Sequence, residues 1–403
     1  MRSESVWLMV LLGCTPKGTD DTACGDACGD SDTTAETGET GESGDTGDTT
    51  ETGDTGESAD SGETGTVDPC LTSSVTFEHE DLTTEDLTAA LLSGVYTTLD
   101  APGRLLVCPG TWYARLLIRA DVEVVGLGAT PEETILSGGE SGTILDVGGK
   151  DVTLTVGNVT LDRGVGLDKE HNSGGGGIYC EAFNAVDVHD AAFTNNFAND
   201  GPAIYVEDCE VSVRTSTFAD NVAEDDGGAM TVWYSNATLD DVTFTGNESL
   251  DGGAMAVFYG SATVTGTVFE GNHGGTFAGA FWLYNSTLTM SDSTFANNTD
   301  DNGSGGGLIV YGAATLDGVT FSGNSAPLGG GLFVYYASVV DGTNCTFEDN
   351  TPDDIYAAGY SPEGGISYTA GTGVSFACAE NVCTVEERPS VTSRRARSAW
   401  PWG

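Results

Sequence analysis

The chain has 403 residues and carries 62 Asp and Glu against 13 Lys and Arg, a formal charge of −49. That surplus repels phosphate backbones and anionic headgroups, which excludes a nucleic-acid-binding role. With 58 glycines, 11 prolines and abundant Thr, Val and Asn, the composition points to a turn-rich β protein, and ten cysteines point to an oxidising compartment.

Residues 1–13 read as a bacterial export signal, with an apolar run from Val6 to Leu12. The run falls short of the roughly 20 residues that a membrane-spanning helix needs. Leu11-Leu12-Gly13-Cys14 has the form of a lipobox, so Cys14 is the expected lipidation site. No other segment is apolar enough to span a membrane, which leaves lipid as the expected anchor. Residues 14–69 are expected to form a disordered acidic linker. From Asp20 to Asp68 there are sixteen acids and no Lys or Arg, and acids recur every third residue from Glu36 to Glu63 in a Thr/Ser-Gly-Asp/Glu unit. Such a tract has too little apolar surface to offset the entropy of ordering, and its like charges keep it extended.

The fold is legible in a repeat. Phe-x-x-Asn occurs seven times, at Phe193, Phe218, Phe244, Phe269, Phe295, Phe321 and Phe347, at spacings of 25 or 26. Between copies runs a second motif of three small residues and an apolar one, such as Gly-Gly-Ala-Met230 and Gly-Gly-Gly-Leu332. No 3.6-residue stripe accompanies it, so the unit is one coil of a parallel β-solenoid, in which equivalent residues stack about 4.8 Å apart. The phenylalanines then form an internal stack. Asn196, Asn221, Asn247, Asn272, Asn298, Asn324 and Asn350 form a structural amide ladder.

Less regular coils are expected upstream, through Leu105–Tyr113, Val122–Gly126 and Val152–Val156, with a capping helix at Asp86–Ser93. Residues 70–383 thus form one all-β solenoid of about ten to eleven coils, and residues 384–403 a poorly ordered basic tail.

The alternating Gly-Gly-Ala-apolar and Phe-x-x-Asn motifs resemble the repeats of chlamydial polymorphic membrane proteins and, more broadly, the single-stranded right-handed parallel β-helix of the pectin-lyase-like fold. The resemblance covers roughly residues 75–376, and it implies handedness, a cell-surface or extracellular location and adhesion. Those membrane proteins end in a translocating β-barrel. Nothing after Cys383 has that pattern, so a surface location rests here on the lipid anchor, with the leaflet faced left open.

Cys24/Cys28, Cys70/Cys108, Cys180/Cys209 and Cys378/Cys383 are candidate pairs, with connectivity left open. Cys345 is left over, in an inward row with Ala191, Ser216, Val242, Thr267, Ser293 and Val319, and reads as a buried thiol. The fold brings an enzyme hypothesis with it, a polysaccharide lyase or glycoside hydrolase. Its motifs are not found, and Arg214 is the only Lys or Arg between Gly174 and Asn350. No catalytic residue is assigned and no cofactor is expected. Asp225, Asp226, Asp251, Asp300 and Asp301 sit on acidic turns as candidate calcium ligands.

One feature suits recognition. Beyond the inward row Val206, Val232, Val257, Leu283, Val310 and Val334, the next position faces outward and reads Glu207, Trp233, Phe258, Tyr284, Tyr311 and Tyr335. Tyr205, Trp282 and Phe333 fall on the outward row beside it. An exterior aromatic stripe stacks sugar rings or anchors a protein; the alternative is that its rings stack on one another to stabilise the sheet, or are covered by the C-terminal segment. The expected function is therefore a lipid-anchored surface protein with a structural or adhesive role, binding glycan or protein through this stripe.

Overall fold

The computed structural model describes residues 69–166, 174–335 and 338–358, together with strands Ile366–Tyr368, Val374–Ala379 and Val382–Glu386. These residues fall in one structural unit, 65–403. The signal, Cys14, the linker up to residue 68 and the tail beyond Glu386 lie outside the described residues.

Equivalent residues of successive repeats are vertical neighbours. Phe193, Phe218, Phe244, Phe269, Phe295, Phe321 and Phe347 pair in register along one parallel sheet. Their rings stack with centroids between 4.6 Å and 5.0 Å apart and planes within 12°. Each enclosed ring contributes about 2 kcal/mol from burial, and each stack adds about 1 kcal/mol. Above Phe193 the row continues as Leu161, Leu136 and Trp112 in the less regular coils.

The central coils run through the same stations. A strand follows the small-residue motif, such as Met230–Trp233, and a second follows it, such as Asn236–Asp240. Then comes the phenylalanine strand, such as Thr243–Thr245, and a short strand such as Glu248–Asp251 that closes the coil. In the second station nine parallel pairings link ten rungs, from Gly103–Val107 to the strand Val339–Glu348. One continuous hydrophobic cluster, from Val75 to Ala357, fills the interior of the coil.

The corner after each phenylalanine is held by asparagine. Asn247 Nδ2 donates to Asn272 Oδ1 at 2.9 Å and to the Phe218 carbonyl at 3.0 Å, while its own Oδ1 accepts from both the amide and Nδ2 of Asn221. The same pattern joins Asn196, Asn221, Asn272, Asn298 and Asn324, and Asn350 ends it by donating to Asp354 Oδ1. These amides therefore have their hydrogen-bonding capacity met inside the fold.

Both ends of the coil are capped by antiparallel pairing, which removes open sheet edges. At the first, Val75–His79 pairs with Gly103–Val107, the helix Thr88–Ser93 packs beneath, and a disulfide joins Cys70 to Cys108. At the other, Val374–Ala379 runs antiparallel to Val339–Glu348, and Ile366–Tyr368 to Ile355–Ala357. A second disulfide joins Cys180 and Cys209 on adjacent coils.

Candidate functional site

The strand after the small-residue motif presents two rows outward and two inward. The row Glu181, Glu207, Trp233, Phe258, Tyr284 and Tyr311 is in register, and Tyr335 follows on the next coil. Trp233 stacks on Phe258 at 4.2 Å, Tyr284 meets Tyr311 edge-on at 4.8 Å, and Tyr311 lies 4.9 Å from Tyr335. The row is an aromatic ladder, but its rings are unequally open. Phe258, expected on the surface, is only 3% exposed, because Trp233 stacks on it and Trp282 packs against it at 85°.

The outward row beside it is also largely covered. Tyr205 and Phe333 were expected to face solvent, and both are buried. The cause is the glycine turn that precedes each strand and folds over this row. A Cβ on Gly174 would lie 2.5 Å from the Tyr205 ring, and Phe333 packs with Leu328 and Tyr356. Trp282 stays half-buried and stacks with Phe277 at 5.6 Å.

Two further open rings come from a column absent from the sequence-based stripe. Asp208, Tyr234, Tyr259 and Asn285 occupy one corner column with φ of 52°, 47°, 55° and 47°. Asp and Asn tolerate the left-handed region, whereas a tyrosine there costs on the order of 1 kcal/mol. That conformation turns Tyr234 and Tyr259 outward, 55% and 43% exposed, with their rings stacked at 5.2 Å. Trp233, Tyr234, Tyr259, Tyr284 and Tyr335 thus form the accessible face. At its other end the carboxylate of Glu207 accepts from the Tyr205 hydroxyl at 3.2 Å, and Glu181 accepts from Tyr179. Burial, then the neighbouring carboxylates, push both tyrosines well above their ordinary pKa, so both stay neutral donors.

Carboxylates crowd the corner that leads into this strand. Asp200, Asp226 and Asp251 each precede a glycine of positive φ, namely Gly201, Gly227 and Gly252. Carboxylate oxygens of Asp200, Asp225 and Asp226 lie within 4.8 Å of one another. Burial, reinforced by the charges of Asp200, Asp225 and Asp251, raises Asp226 to about 9. Burial and Asp225 raise Asp251 to about 7, and burial raises Asp300 to about 7. Asp301, by contrast, is exposed and lies 3.3 Å from His273 Nε2.

A profile described as "Right handed beta helix region" matches residues 169–377, more than half of the chain. The chain belongs to the right-handed β-helix family. Among solved structures, this β-helix is similar to the A-module of mannuronan C-5 epimerase AlgE6 from Azotobacter vinelandii, at 12% identity and a TM-score of 0.25, covering 62% of this chain and 86% of that one. It is also similar to PfbA, a surface adhesin of Streptococcus pneumoniae, at 9% identity and a TM-score of 0.23, covering 73% and 91%. At those values neither likeness bears on function. No curated protein matches the chain.

Within this β-helix the rows divide by role. The asparagine row is enclosed up to Asn324, so it meets no ligand. Cys345 is buried, and burial lifts its thiol to about 11, which makes it a poor nucleophile. Sequence reasoning passed over Tyr234, Tyr259 and Asp200. The dipeptides Trp233-Tyr234 and Phe258-Tyr259 recur at the coil spacing, and Asp200-Gly201 aligns with Asp226-Gly227 and Asp251-Gly252; both signals are in the sequence.

Proposed function

We propose that this protein is a surface β-helix with a structural or adhesive role, anchored to the outer membrane by lipid on Cys14, that binds a glycan or protein partner through its exterior aromatic face. The Phe-x-x-Asn repeat, which resembles that of polymorphic membrane proteins, fits such a role. The observation that carries the reading is the pair Tyr234 and Tyr259. Two bulky rings are held outward in a strained backbone conformation where the same column elsewhere places Asp208 and Asn285. Backbone strain kept at an exposed position supports a functional reading of these two rings.

Flat rings along a β-helix stack on sugar faces or on side chains of a protein, and each is worth about 1 kcal/mol in contact. The test is a screen of the protein against glycan and cell-surface arrays. Trp233→Ala, Tyr234→Ala and Tyr259→Ala together should weaken binding at least tenfold while the β circular-dichroism signal is kept. Undiminished binding by that variant removes the aromatic face from the proposal. Phe258 is a poor choice for this test, because replacing a covered ring leaves a hole.

A further inference from the structure

The aromatic face lies in a field of one sign. Between Gly174 and Asn350 the sequence has 23 Asp and Glu against a single Lys or Arg, Arg214, which is held by Asp187 at 2.7 Å. Acids also stand at the end of the face itself. Glu207 and Asp208 hold the places that Trp233 and Tyr234 hold one coil on, and Asp208 is exposed. Open rings beside carboxylates suit a cationic segment that carries aromatic side chains. Guanidinium groups lie over ring faces and are drawn in by the surrounding charge, and indoles stack on tyrosines. The same field repels an acidic segment.

The chain carries a segment of that kind. From Arg388 to Gly403 there are four arginines (Arg388, Arg394, Arg395 and Arg397), two tryptophans (Trp400 and Trp402) and no acid. The last described strand, Val382–Glu386, pairs with Val374–Ala379, which pairs with Val339–Glu348 on the coil that carries Tyr335. Glu386, just before the segment, thus lies on the cap of the coil that ends the aromatic face. Trp233 is four rungs from Tyr335, about 20 Å at the strand spacing. Fully extended, the chain from Glu386 to Trp402 reaches about 55 Å, enough to run the length of the face.

We propose that residues 388–403 dock on the aromatic face of their own chain, and that a partner binds there only by displacing them. This regulation rests on the reading of the face as the binding surface. Because the segment is tethered, its effective concentration is of roughly millimolar order, so a contact of modest affinity keeps it in place. The fraction of chains with the face uncovered then scales the apparent affinity for a partner.

The test is trypsin cleavage of the folded full chain, read by mass spectrometry at the bonds after Arg394, Arg395 and Arg397 and compared with a synthetic peptide of residues 387–403. At low salt these bonds should be cut at least tenfold more slowly in the native chain than in the peptide. At 1 M salt, where screening shortens the Debye length to about 3 Å, that protection should shrink several-fold. Tyr234→Asn with Tyr259→Asn should abolish it. Asp240→Asn with Asp241→Asn, two exposed acids of the neighbouring strand and its corner, should keep it. Where the tyrosine variant fails to fold, Trp400→Ala with Trp402→Ala replaces it, and its bonds should be cut as fast as in a peptide of its own sequence. Native bonds cut as fast as in the peptide, or protection that survives these changes, overturn the docking. The assay uses no partner, so a freely cut segment in a protein that still binds an array ligand overturns the docking alone and leaves the binding reading in place.

Discussion

Asn221 and Asn247 share one hydrogen-bonding unit: the Asn247 Oδ1 accepts the Asn221 amide at 3.1 Å and the Asn221 Nδ2 at 2.9 Å. Removing the Asn247 side chain strands both donors and leaves the Phe218 carbonyl without the Nδ2 that serves it. Each buried group left unpaired costs about 1–3 kcal/mol. Asn247→Ala should therefore lose about 3–5 kcal/mol by urea denaturation. Asn350→Ala strands the equivalent Asn324 donors, but at the less buried end of the row, where water can reach the vacated place, and should lose less. Equal losses at the two positions would show that the ladder is not what makes the central amides costly to remove.

The tyrosine corner separates stability from binding. In Tyr234→Asn with Tyr259→Asn, the backbone relaxes at two left-handed positions, worth about 1 kcal/mol each, while the Tyr234–Tyr259 stack and the edge-on Tyr259–Tyr284 contact are given up, worth about 1 kcal/mol each. The two effects nearly cancel, so the denaturation midpoint should hold or rise. Partner binding should fall about tenfold or more. A fall in stability above about 2 kcal/mol would mean that the rings serve the fold and that their exposure is incidental.

How far the sequence disclosed the molecule follows from what stacks. A solenoid turns chain spacing into vertical contact, so Phe218, Phe244 and Phe269 could be placed together from a spacing of 25 or 26 alone. Inward and outward alternation was legible for the same reason along each strand. What lay beyond reach depends on neighbours that are not in the repeat's phase. Phe258 is outward by parity and still covered, because two tryptophans close over it. Tyr205 is outward and covered by the turn at Gly174. Tyr234 and Tyr259 stand at corners, where strand alternation says nothing about direction and φ decides it. The acidic corner links Asp200, Asp226 and Asp251 on three successive coils; the coil spacing of their Asp-Gly pairs carries that link, and the adjacent Asp doublets do not.

Cys345 tests the reading of an inward row. It stands in register with positions that hold Ser293 and Thr267, whose hydroxyls donate to the carbonyls of Ser291 and Thr265. Its own thiol approaches the Thr343 carbonyl in the same way. Cys345→Ser should accordingly cost less than about 1 kcal/mol, an unusually small penalty for a buried polar replacement. With the thiol raised to about 11, little thiolate forms at pH 8, so a thiol reagent should modify Cys345 only after denaturant is added. Mass mapping of modification in the folded protein at pH 8 checks this directly. Rapid labelling there would place the thiol in contact with solvent.

The acidic corner also fixes how stability responds to pH when divalent cations are chelated. Asp226 is raised to about 9 and Asp251 and Asp300 to about 7, against an ordinary aspartate value of 3.8. Between those limits the folded chain holds more protons than the unfolded chain, so stability must fall as pH rises. These groups favour the fold most at the acid end of the window, and their contribution is lost as pH climbs through 7 and then 9. Carboxylates such as Asp190, held low first by the His189 hydrogen bond, act in the opposite sense only near and below pH 4. The unfolding temperature in chelator should thus decline between pH 5 and pH 9. Asp226→Asn stays neutral throughout, so the variant should show a shallower decline and should exceed the native protein at pH 9. A native profile that rises over this range, or a variant that follows it point for point, would mean that Asp226 is ionised at ordinary cost in the folded chain.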